Sequence, residues 1–147
     1  MREEVTQIQG NHYRRFAVMA GLHFIAMYVF MYAMVNVFAN IFNSINQVYM
    51  AALMTSSMIL IELPLNSSMY KSRKLNAIIL AAGVVMLIGS FMLIRRQGLI
   101  ADRQFLRSMI PHHAGAILMC QQASLQDREI KDLCKAIVSS QQARSTR

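Results

Sequence analysis

The chain has 147 residues, of which 55% are hydrophobic and 15% charged, with a net charge of +8. Charge this sparse excludes an ordinary soluble domain, in which about 25% of residues are charged, and two cysteines are too few for a disulfide framework. The basic residues collect at Arg14 and Arg15, from Lys71 to Lys74, and from Arg95 onward, with no basic, aromatic-studded surface. Their placement points to a lipid bilayer as partner and not to nucleic acid.

Residues 1–15 read as a polar N-terminal segment of mixed charge without a cleavable signal, because the apolar run that follows is too long for one. A membrane region is expected over residues 16–97. Its first span runs from Phe16 to Ile41, roughly 26 residues and enough to cross about 30 Å of hydrocarbon with some tilt. The second runs from Val48 to Leu65, ended by Pro64, and the third from Leu75 to Ile94. Spanning segments must be helical, since lipid offers the backbone no hydrogen-bond partner. Gly83 and Gly89 are expected to permit close helix contact.

Lys and Arg counts set the orientation. Arg14 and Arg15 precede the first span, and Lys71, Arg73 and Lys74 lie in the second link, while the first link has none. The N-terminus and second link are therefore expected in the cytoplasm, and the C-terminus on the other side, as in a bacterial inner membrane facing the periplasm. Arg95 and Arg96 weigh against this direction. Within the spans, Met19, His23, Met27, Met31 and Met34 share one face, and Met50, Met54 and Met58 step toward Glu62. Methionine is a flexible apolar filler, so packing is preferred over a conduit for a soft ion. An ionisable residue inside a span is costly and seeks a partner. In an antiparallel pair of spans His23 and Glu62 fall toward the same, cytoplasmic side and are expected to approach each other.

Residues 98–147 turn amphipathic. Phe105, Leu106, Met109, His113, Ala116, Ile117 and Cys120 recur at helical spacing, as do Ile130, Leu133, Cys134, Ile137 and Val138. A polar turn at Ser124–Asp127 separates them, with Asp127 an N-cap candidate, which predicts a helical hairpin. Pro111 removes one backbone donor and predicts a kink. So small a hairpin buries little area and is expected to need a partner. The fold class is all-α: three transmembrane helices, then a short amphipathic hairpin.

At about 100° per residue, Asp102, Met109, His112, His113, Met119 and Cys120 share one face of the first hairpin helix, roughly 120° wide. Thioether and imidazole together favour a soft or borderline ion, copper above all. Met109 and His113 are about 6 Å apart along the axis and can share one ion, whereas His112 and Met119 are about 10 Å apart and cannot easily do so. One helix thus offers half-sites that a second helix or chain must close. The alternative is a polar seam in which the histidines only hydrogen-bond.

The stretch Asp102, Phe105, Met109-Ile110-Pro111-His112-His113, Ala116, Ile117 and Met119 resembles the family called domain of unknown function 305, as do Leu133, Ile137 and Gln141 further on. The resemblance covers about residues 101–142. It implies a ferritin-like helical bundle, built here by pairing hairpins between chains, and copper binding outside the cytoplasm. The implied ligands are Met109, His112, His113 and Met119, with Asp102 in support. After Gln141 the sequence departs from the family by ending in Gln142-Ala143-Arg144-Ser145-Thr146-Arg147 instead of an acidic residue and further helix. Cys120 and Cys134 replace small apolar residues, and packing, a disulfide across the hairpin and extra soft ligation all remain open.

Two functions follow. One is a membrane metal-binding protein for copper resistance or homeostasis, acting as a homo-oligomer. The other is a structural or assembly module whose hairpins associate without metal. An enzyme is not expected: Glu129 is the only glutamate after Gly98, and no Glu-x-x-His motif, nucleophile triad or phosphate loop occurs.

Overall fold

Glutamate and glutamine are good helix formers, and the N-terminal polar segment joins the first helix directly: α1 runs Arg2–Phe30. The structure, a computed structural model, describes residues 2–145, with side chains over residues 10–140. Further helices follow at Ile45–Leu65 (α2), Arg73–Arg96 (α3), Asp102–Gln122 (α4) and Arg128–Ser145 (α5), with 3-10 turns at Met31–Met34 and Phe38–Asn40 and no strand among the described residues. The all-helical class holds. Three of these stretches, Gly10–Met34, Ile45–Leu65 and Arg73–Arg96, are long and apolar enough to cross a membrane.

The first apolar run does not stay α-helical to Ile41. It ends at Phe30 and breaks into the two 3-10 turns. Asparagine is a weak helix former, and Asn36, Asn40 and Asn43 follow the break. Asn40 Nδ2 donates to Asn36 Oδ1 at 2.9 Å, and the Tyr32 hydroxyl lies 2.9 Å from Asn43 Oδ1.

Contacts divide the chain into two units: residues 1–30 with 46–99, and residues 31–45 with 100–147. In the first, α1, α2 and α3 meet at a core of Phe16, Leu63 and Tyr70, packed by Tyr13, Ile59, Ile79 and Leu80. Tyr70 lies 5.3 Å from the Tyr13 ring and 5.4 Å edge-on from that of Phe16. Tyr13 ties α1 to the start of α3: its hydroxyl donates to Asn76 Oδ1 at 2.7 Å and accepts from the Ser72 amide at 3.2 Å. Ser72 caps α3 by accepting from the Leu75 amide at 3.3 Å. Gly83 lets α3 lie close on α2, for a Cβ there would stand 3.1 Å from Leu60 Cδ2, whereas Gly89 faces open space. The Ser56 and Ser57 hydroxyls bond the Leu53 carbonyl at 2.7 and 3.0 Å, so these polar groups need no outside partner. At the far end of α3, Arg95 and Arg96 occupy the last turn, where the helix dipole favours cations. That gives the pair a local reason for its place.

Tyr70 sits in the link between α2 and α3, and burial, then the nearby Glu62 carboxylate and Tyr13, raise its phenol above the ordinary 10.0. The folded state holds this proton longer than the unfolded chain does. Its contribution is therefore intact below about pH 10 and is lost as pH rises through the raised value. Tyr70→Phe is expected to flatten the loss of thermal stability above about pH 10 in detergent melts. An alkaline slope equal to that of the parent chain would contradict this.

The second unit joins the 3-10 turns to α4 and α5. Ala114, Gly115 and Ile117 are the buried residues of α4, and a Cβ on Gly115 would stand 3.4 Å from the Met34 carbonyl oxygen. The Ile45 amide donates to Gln104 Oε1 at 3.3 Å. Part of the partner that the hairpin needs is thus residues 31–45 of the same chain. α4 runs unbroken through Pro111. Asp127 caps α5, its Oδ1 accepting from the Glu129 and Ile130 amides at 2.8 and 3.1 Å. A disulfide joins Cys120 to Cys134, whose Cα atoms are 5.4 Å apart, so of the readings left open for these cysteines the covalent clip is the one formed.

Candidate metal-binding face

α4 places its side chains in two groups. Ala114, Gly115 and Ile117 face inward. Met109 and His113 are half-buried, while Asp102 and His112 are exposed and Met119 is 53% exposed. The expected ligand residues therefore lie outside the buried core. Asp102 opens the helix, where its charge complements the dipole, and no side chain caps the turn before it. The His112 and His113 rings are 6.1 Å apart at 84°. With metal–nitrogen bonds of roughly 2.0–2.1 Å, two imidazoles so far apart reach one ion only from nearly opposite sides.

No second element completes the set. Among the described residues, no three His, Cys, Asp or Glu side chains gather as a metal site. The disulfide occupies both sulfurs that Cys120 and Cys134 would offer. The Gln141 side chain and those of residues 142–147 lie outside the described residues. Chemically the face presents one thioether and one imidazole on successive turns, with a second imidazole and a further thioether beside them.

The expected meeting of His23 and Glu62 is not formed. Glu62 Oε1 accepts from Asn66 Nδ2 at 2.8 Å, one turn along its own chain, and lies near Tyr70. His23 lines a surface groove built wholly from α1 residues. Lying toward the same end of two spans does not make two side chains face each other. None of the methionines described in the apolar helices is buried. Sequence reasoning missed the Tyr13–Phe16–Tyr70 cluster. Its signal was available in the tyrosines beside the basic clusters, at the level where aromatic belts form.

Comparison with known proteins bears on the hairpin. Residues 91–147 match the family described as Domain of unknown function (DUF305). The chain is also similar to "Uncharacterized protein L153" of Acanthamoeba polyphaga mimivirus, at 35% identity over 100 residues, covering 67% of this chain and 64% of the length of that relative. No solved structure matches the chain. The C-terminal segment, residues 91–147, is thus similar to the Domain of unknown function (DUF305) family, and it begins within the last of three helices long and apolar enough to cross a membrane.

Proposed function

We propose that this is a multi-pass membrane protein that holds a soft metal ion, copper by the chemistry of its ligands, on a Met/His face outside the cytoplasm, for metal resistance or homeostasis. The observation that carries the reading is the placement of Met109, His112, His113 and Met119 outside the buried core of α4. Thioether with imidazole suits copper better than oxygen-seeking ions. Asp102 supports the face electrostatically.

Three further facts support the membrane setting and its direction. At most 22% of any of the three apolar windows is buried, so most of that surface needs apolar surroundings. A disulfide persists in oxidising compartments and is rare in the cytosol, which favours the hairpin lying outside. Residues 31–45 and the hairpin pack together. Three crossings bring the first link and the C-terminus to one side, as that packing requires.

The half-site needs closing, and a second copy of the chain is the proposed source. Leu106 and Leu133 of the hairpin are 58% and 60% exposed, an apolar surface that pairing into a four-helix bundle would cover. The other reading, an assembly module without metal, rests on the same surface. Sizing the detergent-solubilised chain with Cu(I) and with a Cu(I) chelator separates the two. Metal handling predicts dimers that the chelator dissociates. Dimers of equal stability in chelator would favour the assembly module, and monomers under both conditions would remove the second copy from either reading.

A further inference from the structure

Two rows of α1 side chains, four residues apart along each row, leave a groove of about 550 Å³ between them. Arg14 and Arg15 stand at one end, and Val18, Met19, Leu22, His23 and Ala26 form the walls. From Arg14 to Ala26 the strip is about 18 Å long, close to half of a hydrocarbon core of about 30 Å. The charged end is stronger than α1 alone makes it. The Tyr13 bonds to Ser72 and Asn76 bring the second link alongside, and with it Lys71, Arg73 and Lys74. All five cations are exposed, and none makes an ion pair among the described residues. Glu62, the one carboxylate in α2, is bonded to Asn66.

We propose that this groove holds one anionic phospholipid of the surrounding bilayer, its phosphate on Arg14 and Arg15 and an acyl chain along Val18, Leu22 and Ala26. The charge at the head, the apolar walls below it and the length of one leaflet match that molecule together. Clusters of basic residues flanking a membrane helix attract anionic lipid. Apart from His23 the walls below the arginines are apolar and would leave a free phosphate's lower half without contact, so the lipid and not the ion is the occupant. The proposal rests on the membrane-crossing reading above.

The test uses the full chain in nanodiscs and in detergent. Native mass spectrometry after partial delipidation is expected to find phosphatidylglycerol retained over phosphatidylcholine. Arg14→Gln/Arg15→Gln should weaken that retention roughly 25-fold, the loss that two cations near an anionic surface bring. Ala26→Phe, which leaves the charge untouched, should reduce chain retention by filling the groove, and inorganic phosphate should displace nothing. Equal retention of the two lipids, or an unchanged preference in the double variant, overturns the proposal. So does a groove occupied by a second copy, seen as lipid-independent dimers that Ala26→Phe dissolves. Alkaline carbonate washing is the separate control. A chain that washes off defeats the membrane-crossing reading and the proposal with it, whereas one that stays without lipid preference defeats the proposal alone.

Discussion

Replacing Cys120 and Cys134 by serine is expected to destabilise the closed hairpin by about 3 kcal/mol, the value for a loop of roughly 15 residues. The cysteines are separated by 14 residues, so the bond restricts the open hairpin to a small set of conformations. Little else holds α5 in place. Its apolar face, Ile130, Leu133, Ile137 and Val138, is half-buried at best, and its one ion pair among the described residues, Lys135 with Asp132, is exposed and within α5. An exposed pair of that kind contributes about 1 kcal/mol or less. Hydrogen exchange on the detergent-solubilised chain should therefore show α5 amides opening on the order of a hundredfold more often in the serine variant, with α2 and α3 unchanged. Equal exchange in both proteins would mean that packing alone closes the hairpin.

A second large effect concerns the ligands. Met109 and His113 lie on successive turns and can reach one ion, so Met109→Ala/His113→Ala is expected to weaken Cu(I) binding by at least about 100-fold. Loss of even an outer-shell partner costs about 10- to 100-fold. Met119 lies about 10 Å further along the axis than His112 and stands apart from that pair. Met119→Leu should cost less than about tenfold, comparable with a peripheral group. The measurement is competition against a chromophoric Cu(I) chelator. Equal losses in the double variant and in Met119→Leu would mean that the residues do not divide into near and remote ligands.

Much of the fold was legible in the sequence for simple reasons. Sparse charge marks the three apolar helices, because few ionisable groups are tolerated in lipid. The 3.6-residue period and the Asp127 cap mark the hairpin. What was not legible depends on three-dimensional placement. The break after Phe30 comes with asparagine side chains bonding one another, as Asn40 does with Asn36, and hydropathy does not register such bonds. Gly83 and Gly89 look alike in sequence, yet only Gly83 meets a neighbouring helix. Cysteine pairing needs a Cα separation, here 5.4 Å, that spacing alone does not supply. His23 and Glu62 fall toward the same end of their spans in sequence, yet Glu62 bonds Asn66, one turn along its own chain. The ligand face was legible as a periodicity. Its position outside the α4 core, on which the proposed function rests, was not.

The central claim is that this face holds a soft metal ion, and a Cu(I) titration of the detergent-solubilised chain tests it most directly. Ascorbate should keep the copper reduced while leaving the disulfide closed, because freed thiolates would bind Cu(I) on their own. The account predicts saturable, stoichiometric binding in the parent chain that is lost in Met109→Ala/His112→Ala/His113→Ala. Equal, weak binding by both proteins would contradict it and leave the hairpin as an assembly module.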